Sequence, residues 1–84
     1  METTLELRGI PLWLLRDYLY ELGGQPGDED WLEEAGWQVR LTRLEDYRIG
    51  SLQVGQVRLE WRADELAQAH TWPLLEKKLL RAGG

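Results

Sequence analysis

This 84-residue sequence predicts an α+β fold, an antiparallel sheet of four to five strands with two helices packed on one face. Three observations carry that expectation. Apolar and polar residues alternate near the N-terminus and again between Trp37 and Trp61, the period-2 signature of half-buried strands. Leucines recur at helical spacing after Pro11 and again after Asp64. Short glycine-containing turns separate the strand-like runs, and strands joined that way pair antiparallel.

The elements follow in order. From Thr3 to Arg8, Leu5 and Leu7 share one face while Thr4, Glu6 and Arg8 share the other, which predicts a first strand. Gly9-Ile10-Pro11 changes the period. Pro11 suits a first helical position, and Leu12, Leu15, Leu19 and Leu22 form an apolar stripe that stops at Gly23-Gly24. Leu14, Tyr18 and Tyr20 exceed what one helix face needs, so they line a groove or dimer contact or lie under the second helix. Residues 25–30 carry turn chemistry, and Trp31 to Ala35 reads as a short edge strand.

Beyond Gly36, Trp37, Val39 and Leu41 oppose Gln38, Arg40 and Thr42 until the phase breaks near Leu44, as at a bulge or turn that ends a strand. Ile49 to Val54 and Val57 to Trp61 give two further strand-like runs, with Gly55 expected as a hairpin turn or glycine bulge. Asp64 is placed to cap a last helix patterned by Leu66, Ala69, Trp72, Leu75 and Leu79, which Pro73 should kink or split. The expected order is β-α-β-β-β-β-α in one domain, residues 1–84, with a tail ending in Gly83-Gly84.

Composition narrows the chemistry. Five Trp stand beside one His, one Ser and no Cys, Asn or Phe, so packing material is plentiful and catalytic material scarce. In a small domain each aromatic removes roughly 150–250 Å² from water while fixing two torsions, which makes burial the plain reason for the tryptophans. The lack of Cys removes disulfides, thiolate metal sites and thiol nucleophiles. The N-terminus has no basic segment before an apolar run and no stretch reaches the ~20 apolar residues of a membrane span, so a cytoplasmic address without membrane association is expected. A net charge of −5 argues against a nucleic-acid footprint. Basic residues are eight Arg against two Lys, and with the missing Asn and Cys this points to a hot-environment or high-GC source.

The outward strand phase collects Arg8, Arg40, Arg58 and Arg62, with Glu6 and Glu60 interleaved and Trp61 and Tyr47 at the flanks. An open face of that kind grips a small anionic ligand or a protein partner; the alternative is cross-strand Arg–Glu pairing that merely solvates the sheet. Asp28, Glu29, Asp30, Glu33 and Glu34 miss the calcium-loop spacing and read as a solvated acidic loop, so no metal is expected. His70 stands alone and reads as a partly packed helix residue, and Ser51 as an ordinary strand or turn residue. Gly83 and Gly84 offer an alternative, a carrier tail adenylated at the Gly84 carboxylate. Carriers of that type place the tail after a strand, whereas here a helix precedes it. An enzyme using paired carboxylates in a groove is the weakest reading. The expectation is therefore a non-enzymatic binding or interaction module without a cofactor, able to form a homodimer through an exposed sheet edge or face.

Pro11-Leu-Trp13-Leu-Leu15, Tyr18-Leu19, Gly23-Gly24, Gly36 before Val39-Arg40, Ile49-Gly50-Ser51-Leu52 and Val57-Arg58-Leu59 together resemble a small domain of unknown function. That domain forms the C-terminal part of MoaD-related proteins of Thermus-like bacteria. There it follows a ubiquitin-like sulphur-carrier domain similar to the small subunit of molybdopterin synthase. The resemblance covers nearly the whole chain, including the final Gly-Gly. It implies a TATA-binding-protein-like fold and an association with molybdenum-cofactor or sulphur-carrier pathways, and it assigns no catalytic residue.

Overall fold

The computed structural model describes residues 1–81, so the tail carrying Gly83 and Gly84 lies outside the described residues. Among the described residues five strands, three α-helices and one 3-10 turn (Asp28–Asp30) follow one another: β1 (Glu2–Arg8), α1 (Leu12–Glu21), β2 (Gln25–Pro26), the 3-10 turn, β3 (Trp31–Glu34), β4 (Trp37–Ile49), β5 (Leu52–Ala63), α2 (Glu65–His70) and α3 (Trp72–Arg81). The strands form one antiparallel sheet in the order β1-β5-β4-β3-β2. Among the described residues no helix is long and apolar enough to cross a membrane.

Local sequence explains the helix ends. α1 stops where the Gly23 amide donates to the Tyr20 carbonyl and the Gly24 amide to the Leu19 carbonyl, a paired closure that requires the left-handed φ of +98° at Gly23. Gly24 is fixed by space, because a Cβ there would stand 2.9 Å from Trp37 Cη2 and 3.0 Å from the Leu19 carbonyl oxygen. Asp64 caps α2 by accepting the Ala67 amide on Oδ1 at 2.8 Å. The C-terminal helical run is split as Pro73 requires, with Thr71 between the two segments.

The core lies between the helices and one sheet face. Leu15 and Leu19 of α1, Ala67 of α2, and Leu75 and Leu79 of α3 are buried against Leu32, Trp37, Val39, Val57, Leu59 and Trp61. Trp61 stacks on Trp37 with centroids 5.5 Å apart and meets Trp72 at 5.2 Å, so three of the five tryptophans make one continuous wall. At about 25 cal/mol per Å², a fully buried indole contributes roughly 4–6 kcal/mol of transfer free energy. Burial does not account for Trp13, which is 63% exposed on α1. Tyr18 packs against the core beneath Lys78 of α3, while Tyr20 is exposed. Lys78 also pairs with Glu21, joining the two helices.

Gly55 is neither a turn nor a bulge residue: β5 runs through it without interruption, and the hairpin turns at Gly50-Ser51, where Gly50 has φ +58°. The phase break near Leu44 is a bulge on β4, where pairing passes from Leu44↔Gln56 to Tyr47↔Val54 and leaves Glu45 and Asp46 opposite the single residue Gly55, but the strand continues through it to Ile49. A bulge reverses the phase of a strand without ending it, which is why one long hairpin reads as three runs. The segment at Trp31 is not an edge strand either, because β2 lies outside it. His70 is exposed at the end of α2 rather than partly packed.

Candidate functional site

The sheet face opposite the helices is uncovered by any described element, and its composition follows from strand register. Cross-strand neighbours point to the same side, which yields rows of side chains running across the sheet. Glu2, Arg62, Gln38 and Glu33 form the first row, and Thr4, Glu60, Arg40 and Trp31 the second. Glu6, Arg58 and Thr42 form the third, and Arg8, Gln56 and Leu44 the fourth. Arg8, Arg40, Arg58 and Arg62 thus stand on one surface, as their alternation predicts.

Each arginine has a different setting. Arg40 makes a two-pronged pair with Glu60, Nε to Oε1 and Nη2 to Oε2 both at 3.1 Å, and its guanidinium lies 4.9 Å from the Trp31 ring centre. Arg62 bonds Glu2 at 2.9 Å and lies 4.8 Å from the same ring. Arg8 donates to Gln56 Oε1 at 3.1 Å and covers the Tyr47 ring at 3.7 Å. Arg58 is exposed, flanked across the strands by Glu6 and Thr42, and among the described residues no carboxylate reaches ion-pair distance of it. Three positive side chains are held in place by neighbours, and the fourth keeps its guanidinium available.

Trp61 does not flank this surface. It is 1% exposed and points into the core, because its parity along β5 matches Val57 and Leu59 rather than Arg58 and Arg62. Trp31 holds the aromatic position in its place. Sequence reasoning missed it because the relevant neighbour, Arg40, is paired across strands, and only the Trp31↔Arg40 register brings the two together. Tyr47 reaches the face through the bulge, which turns it outward beside Arg8.

A cleft of about 770 Å³ opens at the first-row end of the sheet, lined among others by Glu2, Glu33, Glu34, Arg62 and Asp64. Most of these carboxylates have structural partners. Glu2 pairs with Arg62, Glu34 accepts the Ala35 amide at 2.9 Å, and Asp64 caps α2. The face is therefore of mixed charge, with Arg62 among the carboxylates around the cleft and Arg40, Arg58 and Arg8 beyond it interleaved with Glu60 and Glu6.

A family model described as archaeal MoaD-like protein matches residues 3–84, nearly the full length. The chain belongs to this family. Its members are MoaD-like by description, and that relationship is compatible with a sulphur-carrier-like module associated with the molybdenum cofactor. No curated protein matches the chain. The family match extends across all four arginines of the outer face and through Gly83 and Gly84.

Proposed function

We propose that this member of the archaeal MoaD-like family is a non-enzymatic interaction module of a molybdenum-cofactor or sulphur-carrier pathway, docking an acidic segment of a protein partner on the outer face of its sheet. The observation that carries the reading is the arginine set on a face that, among the described residues, has no helical cover and no carboxylate paired with Arg58, with Trp31 beneath Arg40 and Arg62. Guanidinium groups held by neighbours lose little freedom when a carboxylate arrives, which favours affinity. The strand, helix, four-strand, helix order, taken as a TATA-binding-protein-like arrangement, supports it by assigning helices to one face and recognition to the other.

A second reading is a carrier activated by adenylation at Gly84, and the observation favouring it is that the family match runs through that residue. Native mass spectrometry of untagged protein from its own host separates the two. An unmodified chain travelling with a second protein, released by Arg58→Glu combined with Arg40→Glu in a variant of unchanged fold, supports the docking module. A thiocarboxylate or a conjugate through Gly84, lost on deleting Gly83 and Gly84 at constant melting temperature, supports the carrier. A partner that survives the double charge reversal overturns the docking reading.

A further inference from the structure

The two edges of the sheet are unlike. β2 ends one side with two residues, one of them Pro26, a residue that cannot donate to a further strand. β1 ends the other with seven residues and carries no proline, no lysine and no bulge. Its hydrogen-bond parity is set by β5: Ala63 donates to the Met1 carbonyl at 2.9 Å and Gly9 to the Gly55 carbonyl at 3.0 Å, so odd-numbered residues of β1 face β5. The amides and carbonyls of Glu2, Thr4, Glu6 and Arg8 consequently point away from the sheet, and among the described residues they have no backbone partner. Leu5 and Leu7 point toward the helices yet stay only half-buried at this edge.

We propose that β1 is a self-complementary dimerisation edge, pairing antiparallel with β1 of a second copy about a two-fold axis at Leu5 to make one continuous ten-stranded sheet. Parity and charge select this register. Edge hydrogen bonds require even residues to pair with even residues. With the axis at Leu5, Glu2 faces Arg8 of the second copy, Thr4 faces Glu6, and the same pairs recur on the other side of the axis. Moving the axis to Thr4 sets Glu2 against Glu6, and moving it to Glu6 sets Glu6 against itself. Like charges directly opposite are destabilising and opposite charges stabilising, so among the registers that pair five or more residues of β1 only the central one is free of repulsion, and it alone pairs all seven. It also brings Leu5 against its own copy at a non-hydrogen-bonded position, where side chains approach closest, and covers the half-exposed Leu7. The inference does not depend on the docking reading, since it concerns the edge of the sheet and not its face.

Sedimentation velocity over a concentration series reaching the millimolar range tests it on the full chain. The expected result is a reversible doubling of mass, accompanied by concentration-dependent hydrogen-exchange protection at the Thr4, Glu6 and Arg8 amides, with the Leu5 and Leu7 amides protected at every concentration. Glu2→Arg and Arg8→Glu should each weaken self-association roughly tenfold, because each makes both end pairs like-charged. An equimolar mixture of the two variants should restore it as a heterodimer with both end pairs complementary. That rescue cannot arise from effects within one chain. A chain that stays monomeric throughout, or a dimer whose affinity neither variant changes, overturns the proposal.

Discussion

Trp61 donates its indole N–H to Gln68 Oε1 at 2.7 Å, so the side chain at the centre of the tryptophan wall is also tied to the short helix α2. Replacing the acceptor leaves a buried donor without a partner, at a cost of about 1–3 kcal/mol. Gln68→Leu is expected to lower the melting temperature by roughly 4–8 °C per kcal/mol in a domain of this size. Gln68→Glu, which keeps an acceptor, should recover most of the loss. Thermal unfolding of the pair checks this, and an unchanged Gln68→Leu variant would show that the bond contributes nothing.

Two glycines should behave oppositely. A methyl group at Gly24 meets Trp37 and the Leu19 carbonyl, so Gly24→Ala should cost about 1–3 kcal/mol through overpacking. Around Gly55 there is open space in a continuous strand opposite the β4 bulge, and Gly55→Thr should be neutral or stabilising by up to about 1 kcal/mol. Urea midpoints of the two variants measure the contrast directly.

Arg40, Glu60 and Trp31 form one unit on the outer face. Arg40→Ala should cost about 0.5–2 kcal/mol, combining a partly exposed ion pair with a cation–π contact. A double-mutant cycle with Trp31→Leu should return a coupling energy of about 0.5–1 kcal/mol. Additive losses would mean that the guanidinium and the ring do not interact in solution.

Removing the cap of α2 by Asp64→Ala should cost about 1 kcal/mol, whereas Asp64→Asn or Asp64→Ser should retain most of the stability. Equilibrium denaturation distinguishes the hydrogen bond from charge, because the neutral replacements keep the former only.

What the sequence revealed, and what it hid, divides along physical lines. The leucine stripe of α1, its Gly23-Gly24 stop, the Asp64 cap and the split at Pro73 were all legible, because each depends on residues within a few positions of one another. The four arginines were placed on one surface for the same reason, since parity along a strand is local. The β4–β5 hairpin was not, because Glu45 and Asp46 reverse the phase in mid-strand and a phase reversal resembles a strand end. Trp31 was overlooked and Trp61 misplaced because aromatic position on a sheet depends on pairing between distant residues, a quantity that alternation cannot supply.

The distribution of the indoles gives the molecule its own spectroscopy. Trp37, Trp61 and Trp72 lie close enough for their excited states to couple, so ordered packing should show as an exciton couplet in circular dichroism that vanishes on unfolding. Trp31 stands outside that group, under two guanidinium groups on the opposite side of the sheet, where its emission responds to whatever settles there. One unlabelled chain therefore carries an exciton signal for the packing of the core and, alongside the emission of exposed Trp13, an indole that senses the outer face.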